Sequence, residues 1–214
     1  MKYKTIFFDL DGTITDSAPG IMNSIKYALE KNHLPMLSEE QLRSFIGPPL
    51  RGQFCKVCGL ADEESARMVE DYREYYRDKG IFGNNVYDGV IEMLEKLRKK
   101  GFRLAIATSK PEKYAKIIID HFHLTQYFAC VAGMEMDGGR GTKAQVITYA
   151  LEKNDITDKS NVLMIGDREH DVIGAHENGL DCLGILYGFG SRKEFEEAGA
   201  DYIRENVEDI LQFV

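Results

Sequence analysis

The chain has 214 residues, 43% of them hydrophobic and 29% charged, with a formal net charge of -8. This is the make-up of a water-soluble globular protein with one domain or two unequal ones. The negative balance argues against a nucleic-acid backbone or an anionic membrane as partner, although a local basic pocket can still take a phosphate ester. No apolar run approaches the ~18 residues of a membrane span. The apolar stretch after Lys2 and Lys4 stops at Asp9, so no signal peptide is expected either. The four cysteines are scattered, which fits a reduced, cytoplasmic protein.

Tyr3 to Leu10 reads as a buried strand, being short, apolar and followed by a glycine turn at Gly12. Strand side chains alternate, so Asp9 and Asp11 point to one side, roughly 7 Å apart. Asp16 or Ser17 can cap a helix with Pro19 in its first turn and Ile21, Ile25, Ala28 and Leu29 as its apolar stripe. Ser38-Glu39-Glu40-Gln41 is a capping box for a second helix, and Gly47-Pro48-Pro49 ends it. Further helices are expected from Leu50 to Val57 and from Asp62 to Lys79. Between Asp16 and Asn85 no clean period-2 alternation occurs, so residues 16–85 form a helical insert.

The pattern changes at Val86. Asp88 or Gly89 opens a helix with Val90, Met93, Leu94 and Leu97 on one face, closed by Gly101. Phe102 to Ala107 reads as a strand ending in Thr108-Ser109, and Lys110-Pro111-Glu112 opens a helix to Phe122. A short strand at Val131-Ala132 leads to a glycine-rich loop, Asp137 to Gly141, and Thr142 caps a helix through Leu151. Val162 to Ile165 is an apolar strand ending in Gly166-Asp167, with a helix to Glu177 after it. Leu183 to Tyr187 and Tyr202-Ile203 are expected strands, and Val207 to Phe213 a last helix. Alternating strands and helices imply a Rossmann-like α/β core with a parallel sheet and helices on both faces. The core is then residues 1–15 and 86–214, with residues 16–85 as a helical cap inserted after the first strand.

Ligands in such sheets bind at the carboxyl ends of the strands. Asp9 and Asp11, Thr108 and Ser109, and Asp167 are all placed there, with Asp171 four residues beyond Asp167. Lys143 stands in the first turn of a helix behind the glycine-rich loop. Three carboxylates around a hard cation suit Mg²⁺. A threonine hydroxyl, helix N-terminal amides and Lys143 suit phosphate oxygens. With the cation offsetting charge, Asp9 can approach a phosphorus atom, which defines phosphoryl transfer through an aspartyl phosphate.

Asp9-Leu10-Asp11-Gly12-Thr13 resembles the first motif of the haloacid dehalogenase-like superfamily. Thr108-Ser109 resembles the second, Lys143 the third and Gly166-Asp167-Arg168-Glu169-His170-Asp171 the fourth, in the family's order. The insert resembles the cap of the phosphatase and phosphomutase branch. The resemblance implies that Asp9 attacks phosphorus and that Asp11 protonates the leaving alcohol, then deprotonates water. It further implies that Asp9, Asp167 and the backbone carbonyl of Asp11 hold Mg²⁺, with Asp171 acting through water or behind the ligands. Thr108, Ser109 and Lys143 would hold the phosphoryl group, and Arg51 on the cap would reach the substrate. Ala144-Gln145 replaces the prolines common after that lysine, so Lys110 or Arg140 could share or take its work.

The expected activity is hydrolysis of a small phosphorylated metabolite by a Mg²⁺-dependent phosphatase. The Gly-Pro-Pro-Leu-Arg segment at Gly47 to Arg51 and the loop Leu186 to Ser191 resemble the phosphoglycolate phosphatase and 5′-nucleotidase-like group. A β-phosphoglucomutase-like sugar phosphomutase would share every core residue. A phospho-receiver signalling module also combines acidic residues, Thr/Ser and Lys on a parallel sheet, but the insert and Asp-x-Asp-Gly-Thr disfavour it. Monomer and homodimer are both open. Cys55-Lys56-Val57-Cys58 has zinc spacing without a second pair and reads as ordinary thiols.

Overall fold

Six parallel strands build the sheet of a computed structural model that describes residues 2–136 and 139–214. The chain divides into two compact units, Met1–Thr15 with Val86–Val214, and Asp16–Asn85.

In the first unit, β1 (Thr5–Phe8) is buried at every position. That is the signature of a strand covered on both faces. Phe7 pairs in register with Ala105 on β4 (Arg103–Pro111) and with Met164 on β6 (Val162–Gly166). β5 (Val131–Met134) lies outside β4, and β7 (Asp181–Ile185) and β8 (Tyr202–Arg204) lie beyond β6, giving the order β5-β4-β1-β6-β7-β8. The chain builds one half of this sheet outward from β1, then returns to build the other half. The strand order therefore reverses between β1 and β6, the crevice where ligands bind in doubly wound sheets.

The longer crossover helices are α5 (Val90–Lys99), α6 (Glu112–His121), α7 (Lys143–Lys153) and α8 (Glu169–Glu177). Two short helices follow, α9 (Arg192–Ala198) and α10 (Val207–Phe213). One face of the sheet packs Phe7, Ala105 and Met164 against Val146 and Ile147 of α7, Val172 of α8 and Phe195 of α9. Fully burying a side chain of this kind is worth about 1.5–3 kcal/mol.

The second unit holds α1 (Ala18–Lys31), α2 (Glu39–Arg43), α3 (Leu50–Cys58) and α4 (Asp62–Asp78). Ser38 and Gln41 form the expected reciprocal cap of α2. At α1 the cap is different: Ser17 makes no side-chain cap, and Asp16 Oδ1 accepts the Ala18 N–H at 3.0 Å. Gly20 on α1 lets that helix touch the backbone of the segment after α4, with its N–H donating to Gly83 O at 2.7 Å. A Cβ there would overlap Gly80 O. Tyr72 and Tyr76 stack at 5.3 Å between ring centroids, so the tyrosines of α4 serve packing. Cys55 meets the Ser65 hydroxyl, and all four cysteines are free thiols.

The structure departs from the sequence reading at a β2–β3 pair and at the end of β4. Two short strands, β2 (Thr15–Asp16) and β3 (Asn85–Val86), form a separate two-stranded sheet where the chain leaves and re-enters the first unit. Two residues are too few for a periodicity to register. β4 runs on to Pro111, so α6 begins at Glu112 rather than Lys110. Pro111 keeps Lys110 extended, because its ring disfavours helical backbone in the residue before it. Asp137 and Gly138 of the expected glycine-rich loop lie outside the described residues. No described helix is long and apolar enough to cross a membrane.

Candidate active site

Asp9 follows β1 directly and Asp167 follows β6 directly, so adjacent parallel strands deliver both to the crevice between them. The Asp9 N–H donates to Ile165 O at 2.9 Å, which extends the ladder to the last residue before the turn. Asp171 stands in the first turn of α8, where its Oδ2 accepts the Arg168 N–H at 3.0 Å. The local helix start thus fixes this carboxylate before any ligand is considered. Carboxylate oxygens of Asp9, Asp167 and Asp171 all lie within 4.8 Å of one another, and all three residues are buried.

Lys143, the first residue of α7, reaches into this group. Its Nζ donates to Ala107 O at 2.8 Å and lies 2.9 Å from Asp9 Oδ1 and 2.6 Å from Asp171 Oδ1. Burial alone would lower the lysine pKa, but the charges of Asp171 and Asp9 outweigh it and hold the group above the ordinary lysine range. The helix start that aims Lys143 is made by Thr142 and Gln145, which cap each other reciprocally.

Asp167 has no such cation. Its Oδ2 accepts the Phe189 N–H at 2.8 Å, and the Thr13 hydroxyl lies 3.5 Å from Oδ1. Burial, then the charges of Asp171 and Asp9, push its carboxyl well above the usual range. The loop after β7 closes tightly on this residue. A Cβ on Gly12 would overlap Asp167 Oδ2, and one on Gly190 would overlap Asp167 O. Tyr187 donates to Thr13 O at 2.9 Å from the same loop. The Phe189 amide had no sequence signal beyond the glycines around it.

Three buried carboxyl groups share one ammonium. Asp9 Oδ1 and Asp171 Oδ1 meet Lys143 as ion pairs by distance, yet neither has an aligned hydrogen-bond donor. Buried carboxylate oxygens with open lone pairs, outnumbering the cations beside them, fit a hard cation with oxygen ligands.

Thr108 is buried at the carboxyl end of β4, next to β1. Its Oγ1 accepts the Lys110 N–H at 3.2 Å, and Ser109 is half-buried beside it. Of the two alternatives to Lys143, Lys110 pairs with the other aspartate of the first motif and Arg140 pairs with residues outside the carboxylate group. Lys110 Nζ donates to Asp11 Oδ2 at 2.7 Å. Arg140 donates to Gly133 O at 3.0 Å and to Glu135 and Glu112, at the β5 edge of the sheet. Arg51 lies on α3 in the helical unit, exposed, with its guanidinium forked onto both carboxylate oxygens of Asp62.

Among known proteins, the family model for haloacid dehalogenase-like hydrolases matches residues 6–185. The chain belongs to this family. It is 40% identical to the 5′-nucleotidase of Pseudomonas aeruginosa over 91% of this chain and 87% of that one. It is 38% identical to the tyrosine-protein kinase PtkA of Mycobacterium tuberculosis over 86% of this chain, which spans only 62% of that protein's length. It is 27% identical to the phosphoglycolate phosphatase of Vibrio parahaemolyticus over 99% of this chain and 96% of that one. A crystal structure of a predicted phosphatase from Clostridium acetobutylicum, 43% identical, superposes with a TM-score of 0.93 over 100% of this chain and 98% of that one.

Proposed function

We propose that the protein is a Mg²⁺-dependent phosphatase that hydrolyses small phosphate monoesters through a phosphorylated Asp9. The observation that supports this most is the buried group of Asp9, Asp167 and Asp171 on Lys143, next to Asp11 at the switch point of the sheet. Asp9 carboxylate attacks phosphorus and the ester P–O bond breaks, while Asp11 gives a proton to the departing oxygen. Water then attacks the same phosphorus, Asp11 takes its proton, and the bond to Asp9 breaks to release phosphate. Asp9, Asp167 and the main-chain carbonyl of Asp11 would hold Mg²⁺, with Asp171 behind or beside them, and the ion would supply the positive charge that lets a carboxylate meet a phosphoryl dianion. Lys143 keeps Asp9 oriented, and Thr108 and Ser109 line the position of the phosphoryl oxygens.

The helical unit would act as a cap that selects the ester, with Arg51 as its substrate contact. A 5′-nucleotide is the second reading of the substrate, favoured by the 40% identity to a protein of that name. Free thiols throughout fit a cytoplasmic enzyme. The test is phosphate release with Mg²⁺ from phosphoglycolate, nucleoside monophosphates and hexose phosphates. Turnover of at least one is expected. A single phosphorylation without turnover would point to a receiver, and formation of an isomeric sugar phosphate to a phosphomutase.

A further inference from the structure

The second lysine of the site, Lys110, is absorbed by none of the roles above. It is 9% exposed, unusual for a lysine, and its Nζ donates to Asp11 Oδ2 at 2.7 Å. Its backbone is built to aim it there. The pairing of β4 with β5 slips between Thr108 and Pro111, a bulge of the kind that redirects a side chain at a strand end. The Thr108 hydroxyl accepts the Lys110 N–H at 3.2 Å, and Pro111 keeps the residue extended. Gly133 on β5 permits the close approach, since a Cβ there would lie 2.6 Å from Lys110 O. On the other side of the ion pair the two oxygens of Asp11 differ. Oδ2 takes the ammonium, while Oδ1 is buried and has no hydrogen-bond partner.

We infer that Lys110 is a positioning residue for proton transfer: it clamps Asp11 Oδ2 so that Oδ1 faces the ester oxygen. The inference rests on Asp11 being the acid/base of the proposed reaction. A clamp of this kind matters because proton transfer needs the donor within hydrogen-bond reach, and a misplacement of about 1 Å can cost about 10²-fold.

The experiment compares Lys110→Met, Lys110→Arg and Asp11→Asn with the wild type on two monoesters, an alkyl phosphate and 4-nitrophenyl phosphate. The alkoxide needs a proton to depart; the nitrophenolate does not. Lys110→Met is expected to lower kcat/KM about 10²-fold on the alkyl phosphate and only a few-fold on the aryl one. Lys110→Arg should restore most of the loss. Lys110→Met added to Asp11→Asn should cost nothing further, because the clamp then has no proton carrier to place. Circular dichroism and thermal melting establish that each variant is folded. Equal losses on both esters, or a further loss in the double variant, would overturn the inference and make Lys110 a phosphoryl ligand or a structural residue. If Asp11→Asn itself shows no dependence on the leaving group, the proposed role of Asp11 fails instead. If Asp11→Asn shows it and Lys110→Met does not, only the clamp fails.

Discussion

Lys143 Nζ lies 2.6 Å from Asp171 Oδ1, with both side chains buried, and the same ammonium lies 2.9 Å from Asp9. One cation therefore holds two carboxylates, one just after β1 and one on α8, and ties the proposed nucleophile to the start of a helix. The pair is a device for position more than for stability, since desolvation offsets much of the attraction between buried charges.

Breaking that pair from the lysine side should be costly. Lys143→Met leaves Asp9 and Asp171 buried beside each other without their cation, and removal of one partner of a buried pair costs about 3–5 kcal/mol. Urea unfolding in the absence of Mg²⁺ measures it. A loss below about 1 kcal/mol would mean that Lys143 does not support the site electrostatically.

Asp167→Asn gives a pH signature. In the metal-free fold, burial with Asp171 and Asp9 raises the Asp167 carboxyl well above its ordinary value. Below about 3.9, folded and unfolded states are both protonated at this position. Above it the unfolded chain releases its proton first, so the wild type loses stability relative to the asparagine variant as pH rises, until the folded group ionises. In EDTA the melting temperature of Asp167→Asn should therefore gain on the wild type as the pH rises above about 4. Millimolar Mg²⁺ should reverse the order. Parallel curves with and without the metal would contradict the assignment of Asp167 as a ligand.

Two glycines separate backbone strain from site geometry. Gly12 and Gly179 both have positive φ, at 81° and 73°, so alanine strains each by about 1–2 kcal/mol. A Cβ at Gly179 meets open space, whereas one at Gly12 overlaps Asp167 Oδ2. Gly179→Ala should lose stability and keep its kcat. Gly12→Ala should lose more stability, because the overlap adds to the strain, and at least about 10²-fold in kcat/KM, as misplacement at a reacting centre costs. Equal activities would show that Asp167 tolerates displacement.

Arg51→Ala tests the helical unit. The exposed pair with Asp62 is worth at most about 1 kcal/mol, so the melting temperature should hardly move. KM for the preferred ester should rise about tenfold, and KM for 4-nitrophenyl phosphate much less, if Arg51 contacts the substrate beyond its phosphoryl group. Equal changes would remove Arg51 from substrate recognition.

Much of the fold is legible in the sequence because its strands are buried on both faces. Thr5 to Phe8 and Val162 to Ile165 are uninterrupted apolar runs or close to it, the first followed directly by Asp9 and the second by Gly166 and Asp167. Long-range pairing is harder to read. Lys110 stands two residues after Thr108 in a strand-to-helix segment, yet its turn to Asp11, 99 residues away in sequence, goes with a bulge that residue pattern does not announce. Lys143 can be placed at a helix start from Thr142, but its grip on two carboxylates depends on where β1 and α8 bring them. The Phe189 amide on Asp167 belongs to the backbone, so residue identity carries no trace of it.

The most direct measurement is phosphate release by the wild type and by Asp9→Asn, in Mg²⁺, across the monoester panel. Wild-type turnover of at least one ester, with Asp9→Asn folded and reduced to background on every one, is the expected result. No release by the wild type from any ester, or turnover retained by Asp9→Asn, would contradict a phosphatase that works through a phosphorylated Asp9.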